Sequence, residues 1–469
     1  MPVNSFEDYP MSWRPQKSRL GKPYYLSIAA RLEADILSGK LPENTKLPPQ
    51  RELADFLDLN LSTVTRAYKL CELKGLLYAV TGRGTFVSPG TSAQNTFIEK
   101  DGGVIEMGMI KPFYESNYAV RNAARLVLGR EESIRLFEYS SPLGTKRQIN
   151  AARKWLHRIG VSVGEENVLL SAGAQNALSV MLISLFKAGD KIAVDNFTYT
   201  NFKGLANFLH IQLIAVPTDG YGMSPDGLLT ICKNTAIKGI YLMPTCSNPT
   251  SIFMPQSRRT ELAGIIKQFH LLVIEDDIYS FLSVYGHTVH EAKPFFSLVP
   301  EQTVHICSIS KSLCAGLRVA FIAFPDRYRE LLVSGMLGIN LKTVSLNSEI
   351  ITELIESGEA ENIMKQKILS ARKRNQIFYS VFPSPQADHI ERFFHWLQLP
   401  PHLTSEELEL LALQKGIHVL GSHRFAMQNE NKSSYVRVSI ASPDTEDDLR
   451  KGLLILKNIF EEKQMNFFV

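Results

Sequence analysis

Residues 303–318 read TVHICSISKSLCAGLR and place a lysine just beyond an apolar, strand-like run. Lysine is mostly solvated in proteins, but a desolvated lysine loses its proton more readily and can form a Schiff base. Ser308 and Ser310 precede Lys311, and Arg318 follows it by seven residues. Hydroxyl and guanidinium groups are suitable phosphate ligands. The stretch therefore predicts a lysine site and a neighbouring anion site at the end of a strand.

Six further apolar runs have a similar length and are separated by helix-length stretches: NVLLSAG (167–173), KIAVD (191–195), IQLIAV (211–216), GIYLMP (239–244), LLVIEDD (271–277) and RVAFIAF (318–324). Short, nearly continuous apolar runs are typical of strands that crossover helices bury on both faces. The pattern predicts an α/β fold with a mostly parallel sheet. Beyond about residue 340 the sequence pattern predicts an α+β arrangement, with helical runs near 346–380 and 404–415 and a strand at YVRVSIA (435–441).

Polar residues with several possible roles follow three of these runs. The small residues of Ser171–Asn176 can present helix N–H groups to an anion, although any tight turn also uses small residues. Asp276 can bind a metal, cap a helix or pair with a pyridinium nitrogen. Asn248 can donate to a phenolate oxygen, although Asn-Pro is also a common plain turn. Open α/β sheets place ligands at this end of their strands, so all three are candidate site residues.

The first 90 residues have a different pattern, with short helices followed by a hairpin. Helices are predicted at 25–39, at QRELADFLD (50–58) and, after a three-residue turn, at LSTVTRAYKLCELKG (61–75). The outward face of the last helix carries hydroxyls and cations: Ser62, Thr63, Thr65, Arg66 and Lys69. LLYAVTGRGTFVS (76–88) then predicts two strands around Arg83. The arrangement suits docking in the major groove of DNA, or it is two packed helices and a hairpin with ordinary surface charge.

Bulk properties limit the class of protein. A chain of 469 residues predicts two or three domains, and a polar stretch at 88–103 reads as a linker. Residues 1–90 hold 12 Lys and Arg against 9 Asp and Glu, so most of the net charge of +4 lies there. Five cysteines without CxxC or Cys/His spacing read as reduced thiols, with no metal site. No apolar run is long enough to span a membrane and no signal peptide is evident, so we expect a cytoplasmic protein.

Three motifs of the first segment resemble the GntR-type winged helix-turn-helix. They are Pro49-Gln50-Arg51-Glu52-Leu53-Ala54, Thr63-Val64-Thr65-Arg66-Ala67-Tyr68 and Gly82-Arg83-Gly84, and the resemblance covers nearly all of residues 24–88. It implies that double-stranded operator DNA is a partner and that Arg51, Thr63, Arg66 and Arg83 contact it. Ser62 and Thr65 on the outward face are further candidate contacts.

The segment from about 105 to the end resembles fold-type-I aminotransferases, which bind pyridoxal 5'-phosphate. The resemblance implies a seven-stranded, mostly parallel sheet in a large subdomain and an α+β small subdomain. It implies that Lys311 forms the internal aldimine, that Asp276 keeps the pyridine nitrogen protonated, and that Tyr199 stacks on the ring. Asn248 and Tyr279 would hold the ring hydroxyl oxygen. The phosphate would bind Gly173, Ala174, Ser308, Ser310 and Arg318, with Gln175 beside them, and Arg437 would grip a substrate carboxylate.

Two departures from the family pattern stand out. The family has Asn-Pro-Thr-Gly, whereas here Ser251 occupies the glycine position, where a positive φ angle would disfavour serine. Residues 138–144, EYSSPLG, match the segment that leads into the family's active site only loosely.

Both halves together resemble the MocR subgroup of GntR regulators. This implies a homodimer, often head-to-tail, that responds to pyridoxal phosphate, to an amine that displaces Lys311 from the aldimine, or to both. The expected domains are 1–88 for the winged helix-turn-helix, 89–103 for the linker and 104–469 for the aminotransferase-like part, with subdomains of about 140–335 and 336–469. The alternative is an active aminotransferase with an accessory DNA-binding domain.

Overall fold

The structure is a computed structural model that describes residues 11–37, 40–42, 45–73, 76–80, 84–88, 103–139, 141, 143–285, 292–383, 391–401, 403–427 and 434–465. The chain forms two compact units. The first unit is Met1–Val104 with Glu406–Gln414, and the second is Ile105–Ser405 with Lys415–Val469. Of the predicted linker, residues 89–103, all but Gly103 lie outside the described residues.

The first unit has three helices and a hairpin in its amino-terminal part: α1 Tyr24–Leu37, α2 Gln50–Leu57, α3 Leu61–Leu73, β1 Leu77–Val80 and β2 Gly84–Val87. A 3-10 turn at Lys17–Arg19 precedes α1. Asp58 adopts a left-handed conformation, with φ 49°, and turns the chain from α2 into α3. The two strands are antiparallel, with Tyr78 opposite Phe86. The predicted winged helix-turn-helix is confirmed.

Apolar residues at helical spacing form the core of the first unit. The buried residues of the three helices include Ile28, Leu32, Ile36, Leu53, Ala54, Leu57, Val64, Ala67, Tyr68 and Leu70. The Tyr68 hydroxyl donates to Pro48 O at 2.8 Å, which satisfies the one polar atom of that buried side chain. Leu410 also packs in this core. Its segment, Glu406–Gln414, belongs to the first unit, whereas the sequence assigned it to the small subdomain.

The second unit begins with the elements that lead to and form a seven-stranded sheet: β3 Ile105–Glu106, α4 Asn117–Leu128, α5 Lys146–Arg158, β4 Val168–Ser171, α6 Ala174–Leu185, β5 Lys191–Asp195, α7 Thr200–Phe208, β6 Gln212–Val216, β7 Thr218–Asp219, β8 Gly222–Met223, α8 Pro225–Asn234, β9 Gly239–Leu242, α9 Gln256–Phe269, β10 Leu272–Asp276, α10 Leu282–Tyr285, α11 Phe295–Leu298, β11 Thr303–Ser308, α12 Ile309–Ser312 and β12 Ala320–Ala323. Short 3-10 turns lie at Glu131–Phe137, Glu165–Asn167 and Pro300–Gln302.

The strand order of this sheet is β4-β12-β11-β10-β9-β5-β6. All neighbours are parallel except β12, which runs antiparallel to both β4 and β11. Val273 and Ile274, adjacent on β10, pack into different core clusters because successive side chains point to opposite faces. The predicted mostly parallel sheet, buried on both faces, is confirmed. Its strand ends bring Asp276, Asn248 and Lys311 to one edge.

The remaining elements are α13 Arg329–Asn340, α14 Ser345–Glu356, α15 Glu359–Val381, β13 Phe394–Gln398, α16 Ser405–Gln414, β14 Ile417–His418, β15 Leu420–Gly421, β16 Tyr435–Ser439 and α17 Glu446–Met465, with 3-10 turns at Asp326–Tyr328 and Ser422–Arg424. A small antiparallel sheet has the order β13-β16-β15, and β3 pairs with β14 in parallel. Among the described residues, no helix has both the length and the apolar character needed to cross a bilayer.

Candidate functional site

Lys311 lies on α12, which starts directly after β11. Ser308 caps this short helix, and its Oγ accepts from Ser310 N at 3.3 Å. The partly buried side chain of Lys311 donates from Nζ to Ile110 O. Burial lowers the pKa of Lys311 to about 7, and the cations Arg437, Lys367 and Arg318 lower it further. The amine is therefore substantially neutral, and so nucleophilic, near neutral pH.

Gly173 approaches Arg318 closely at one side of the site. Gly173 has φ +89° and immediately precedes α6, and a Cβ there would lie 2.5 Å from Arg318 Nη2. Arg318 Nη1 donates to Ser310 Oγ at 3.1 Å. Ala174 and Gln175 begin α6, whose first N–H groups have no partner within the helix. Gln175 Oε1 is buried and has no hydrogen-bond partner among the described residues. Arg318, Ser310 and the start of α6 thus lie close together.

Asp276 is buried at the end of β10 with one carboxylate oxygen in use. Its Oδ2 accepts from the Tyr241 hydroxyl at 2.8 Å, whereas Oδ1 has no partner within the described part of the chain. Burial raises the pKa of Asp276 to about 7. An unpaired, buried carboxylate oxygen is costly unless a donor binds to it. The site is suited to a cationic N–H group at this position.

Tyr199 lies near both Asp276 and Arg437, and Tyr279 lies near Arg437. The Tyr279 hydroxyl is buried, and none of the described residues bonds to it. The half-buried Tyr199 accepts from Asn201 Nδ2 at 3.0 Å. Burial, and then the nearby Asp276 carboxylate, raise the pKa of Tyr199. Tyr279 thus offers a phenol group for hydrogen bonding and Tyr199 offers a ring.

Arg437 is a buried cation on β16. Its Nη1 donates to Asn248 Oδ1 and its Nη2 to Gly108 O, both at 2.6 Å, while Nε has no partner among the described residues. Its guanidinium carbon lies 4.8 Å from the centroid of the Phe425 ring. Burial lowers the pKa of Arg437 to about 10. A buried guanidinium bonded to neutral oxygens is suited to a carboxylate ligand.

Ser251, at the family's glycine position, does adopt a positive φ angle of 54°. Its backbone N–H donates to Ser247 O at 2.6 Å and holds the turn that carries Asn248. The left-handed conformation costs a residue with a Cβ roughly 1–2 kcal/mol. The serine therefore keeps the geometry of the turn at an energetic cost, and Asn248 still reaches Arg437.

Several groups at this site were not predicted from the sequence. Tyr241 binds Asp276, and the carbonyls of Gly108 and Ile110 accept from Arg437 and Lys311. Lys367 on α15 is buried and donates from Nζ to Lys311 O at 3.2 Å and to Leu313 O at 2.8 Å. Only Tyr241 had a sequence signal, because its hydroxyl is the one side-chain hydrogen-bond donor in the run GIYLMP. Any residue has a carbonyl, so the other contacts had none.

The candidate DNA contacts lie on the surface of the first unit. Ser62, Thr65, Arg66 and Arg51 are exposed and Thr63 is half-buried, whereas Arg83 lies outside the described residues. Thr65 Oγ1 donates to Gln50 Oε1 at 2.8 Å. The Arg66 guanidinium carbon lies 4.2 Å from the centroid of the Tyr25 ring. Neighbouring helices thus hold two side chains of the outward face in place.

Two segments of the chain match known protein families. Residues 112–451 match aminotransferases of class I and II, and residues 24–87 match bacterial regulatory proteins of the gntR family. The chain is 38% identical to the uncharacterized HTH-type transcriptional regulator YdeF of Bacillus subtilis, over 98% of this chain and 100% of YdeF. It is 27% identical to a 2-aminoadipate transaminase of Thermus thermophilus, over 70% of this chain and 82% of that enzyme. A solved archaeal alanine:glyoxylate aminotransferase has the same fold, with a TM-score of 0.71 and 22% identity over 78% of this chain and 92% of its own.

Proposed function

Because this chain belongs to the class I and II aminotransferase family and carries the GntR-type winged helix-turn-helix of the MocR subgroup, we propose that it is a transcription regulator. We propose that it responds to pyridoxal phosphate and an amino compound. One observation carries the proposal: an exposed face of hydroxyls and cations on α3 and a lysine site with unpaired buried polar atoms occur in the same chain. The bacterial chromosome is its proposed partner, so we propose that it acts in the cytoplasm.

The described residues fit pyridoxal phosphate. The Oδ1 of Asp276 and the hydroxyl of Tyr279 are buried polar atoms without partners among these residues, and each matches a polar atom of the cofactor ring. Gly173 leaves space beside Arg318 that a Cβ would fill. Without a bound partner, each of these unpaired buried groups would reduce the stability of the fold by about 1–3 kcal/mol.

We assign the cofactor contacts as follows. Asp276 binds the ring nitrogen, Asn248 and Tyr279 the ring hydroxyl, and Tyr199 stacks on the ring. Gly173, Ala174, Ser308, Ser310 and Arg318 bind the phosphate, with Gln175 beside them. Pyridoxal phosphate supplies an aldehyde for which the Lys311 amine and an incoming amine compete.

The residues of this chain select the effector. Arg437 offers its guanidinium to a carboxylate, and the lowered pKa of Lys311 lets its amine give way to another amine near neutral pH. An amino acid satisfies both groups. We propose that its binding closes the small subdomain and alters the spacing of the two winged helices of a dimer, and hence the preferred half-site geometry.

A homodimer, often head-to-tail in this subgroup, is part of the proposal. Large apolar side chains of the second unit are strongly exposed: Leu126, Ile134, Phe137, Leu341 and Val344. Apolar surface of this kind supports association with a second copy.

The alternative is an active aminotransferase with an accessory DNA-binding domain, favoured by the identity with the transaminase of Thermus thermophilus. Selection of duplexes from a random library by the full chain, together with an assay for keto-acid production, separates the two. Recovery of a defined operator with negligible turnover supports the regulator. Rapid turnover with only sequence-independent DNA binding would favour the enzyme.

A further inference from the structure

The segment just before α1 is basic and lies outside the family match at 24–87. Residues 12–23 read SWRPQKSRLGKP, and we call this segment the basic arm. It carries four cations and no acidic residue: Arg14, Lys17, Arg19 and Lys22. Without these four, residues 1–90 would hold eight Lys and Arg against nine Asp and Glu. The positive excess of this region therefore comes from the arm and not from the helices.

Specific contacts hold the arm on the first unit. Trp13 is buried in the core, and its Nε1 donates to Asp35 Oδ2 at 3.0 Å. The N–H of Gly21 donates to Ser27 Oγ on α1 at 3.1 Å. Leu20 also packs against the core. Because the apolar side chains are turned inward, the arm presents mainly polar and charged groups to solvent.

The middle of the arm and the helix that follows it contact α3 or the turn that leads into it. Lys17 Nζ donates to Asp58 O at 3.0 Å and to Asp58 Oδ2 at 2.8 Å, at the turn that leads into α3. At the carboxyl end of the arm, Lys22 is three residues before Tyr25, whose ring contacts Arg66 of α3. Lys17 before Arg19 and Lys22, and Tyr25 after them, thus lie at α3 or at the turn that leads into it, and Lys17 neutralises the Asp58 carboxylate at that turn.

We propose that the basic arm binds the phosphate backbone of double-stranded DNA next to α3, with Arg19 and Lys22 as its contacting cations. Both side chains are exposed. Phosphate contacts of this kind fix the orientation of a DNA-binding unit and add affinity that depends on salt and not on sequence. The inference rests on the proposed function, because it adds a second DNA-binding element to the winged helix.

The test uses the full chain and a random-sequence duplex of roughly 30 base pairs, long enough for about three turns of DNA. The dissociation constant is measured over a range of salt concentrations for the wild type and for Arg19→Gln/Lys22→Gln. Affinity falls with salt, and each phosphate contact makes the slope of log affinity against log salt more negative by about 0.9. For each winged helix that binds the duplex, we expect the double variant to reduce the magnitude of that slope by about 1.8, and each single variant by about 0.9.

Two controls keep the result specific. Lys233→Gln/Lys267→Gln removes the same charge from exposed positions on α8 and α9 and should leave the slope unchanged. Arg19→Lys/Lys22→Arg keeps both charges and should retain the wild-type slope. A wild-type slope in Arg19→Gln/Lys22→Gln, or an equal loss in the control pair, overturns the inference while the regulator proposal stands. Failure of the wild type to bind any duplex would instead overturn the proposed function.

Discussion

The pKa of Lys311 leads to a quantitative prediction about cofactor uptake. Burial, and then the cations Arg437, Lys367 and Arg318, lower this pKa from its ordinary value of 10.5 to about 7. At pH 7 about half of the Lys311 side chains are then neutral, compared with about three in ten thousand for an ordinary lysine. Only the neutral amine attacks an aldehyde, so Lys311 should gain roughly a thousandfold in reactive form.

The sign of the pH dependence follows from the lowered pKa. Above about pH 7 the amine is already neutral, so the rate of uptake should level off. Well below pH 7 the rate should fall about tenfold per pH unit, because the neutral fraction of the amine falls by that factor. The assay mixes cofactor-free chain with pyridoxal phosphate between about pH 5.5 and 9.5, which brackets this pKa, and follows the visible absorbance of the bound cofactor.

N-α-acetyl-lysine, whose side-chain amine is free in solution, is the matched control. It reacts with the same cofactor, so any effect of the cofactor's own titration appears in both pH profiles. Its rate should continue to rise towards pH 10, which is near the ordinary lysine pKa. Lys311→Ala should show no rapid uptake at any pH. If the profile of the wild type parallels that of acetyl-lysine, the amine is not desolvated and our account of its reactivity is wrong.

Three further changes test other parts of the site. Asp276→Asn should weaken cofactor affinity by about 1.5–3 kcal/mol, roughly 10- to 150-fold, because a charge-assisted bond to the ring nitrogen is lost; absorbance titration measures this, and unchanged affinity would remove Asp276 from the site. Gly173→Ala should lower the free energy of unfolding by about 1–3 kcal/mol and weaken cofactor binding, because its backbone favours glycine and a Cβ would meet Arg318. Thermal melts with Gly189→Ala as the control (φ +86° but open space around the Cβ) separate backbone strain from the contact with Arg318, and equal effects on cofactor affinity would contradict the prediction. Arg66→Gln should cost about 1–3 kcal/mol at a selected operator if Arg66 reads a base; binding curves on operator and random duplex measure this, and an equal loss on both would assign it to phosphate.

The strands were predictable because burial on both faces makes each a short apolar run. KIAVD coincides with β5, and the other six runs each contain one strand of the sheet. The helical run at 346–380 is in fact two helices, since Gly358 adopts φ 80° between α14 and α15. The antiparallel direction of β12 was not predictable, because an apolar run has the same composition in either direction.

The site was predictable where a side-chain type is chemically distinctive. Lys311, Asp276 and Arg437 stand out as charged residues within apolar runs. Their partners do not: Gly108 and Ile110 contribute only backbone carbonyls from a segment about 200 or more residues away in sequence. Lys367 could not be predicted either, because a single lysine on a long helix is expected to be exposed. Here it is buried and donates to the carbonyl of Lys311.

We propose above all that Lys311 holds pyridoxal phosphate. The most direct measurement incubates the purified full chain with the cofactor, reduces the complex with borohydride to make the lysine–cofactor bond permanent, and maps the added mass on proteolytic peptides. We predict that the added mass lies on the peptide containing Lys311 and is absent from Lys311→Ala. A chain that stays colourless and gains no mass even in high excess of cofactor, or one that is modified at another lysine such as Lys367, would contradict the account.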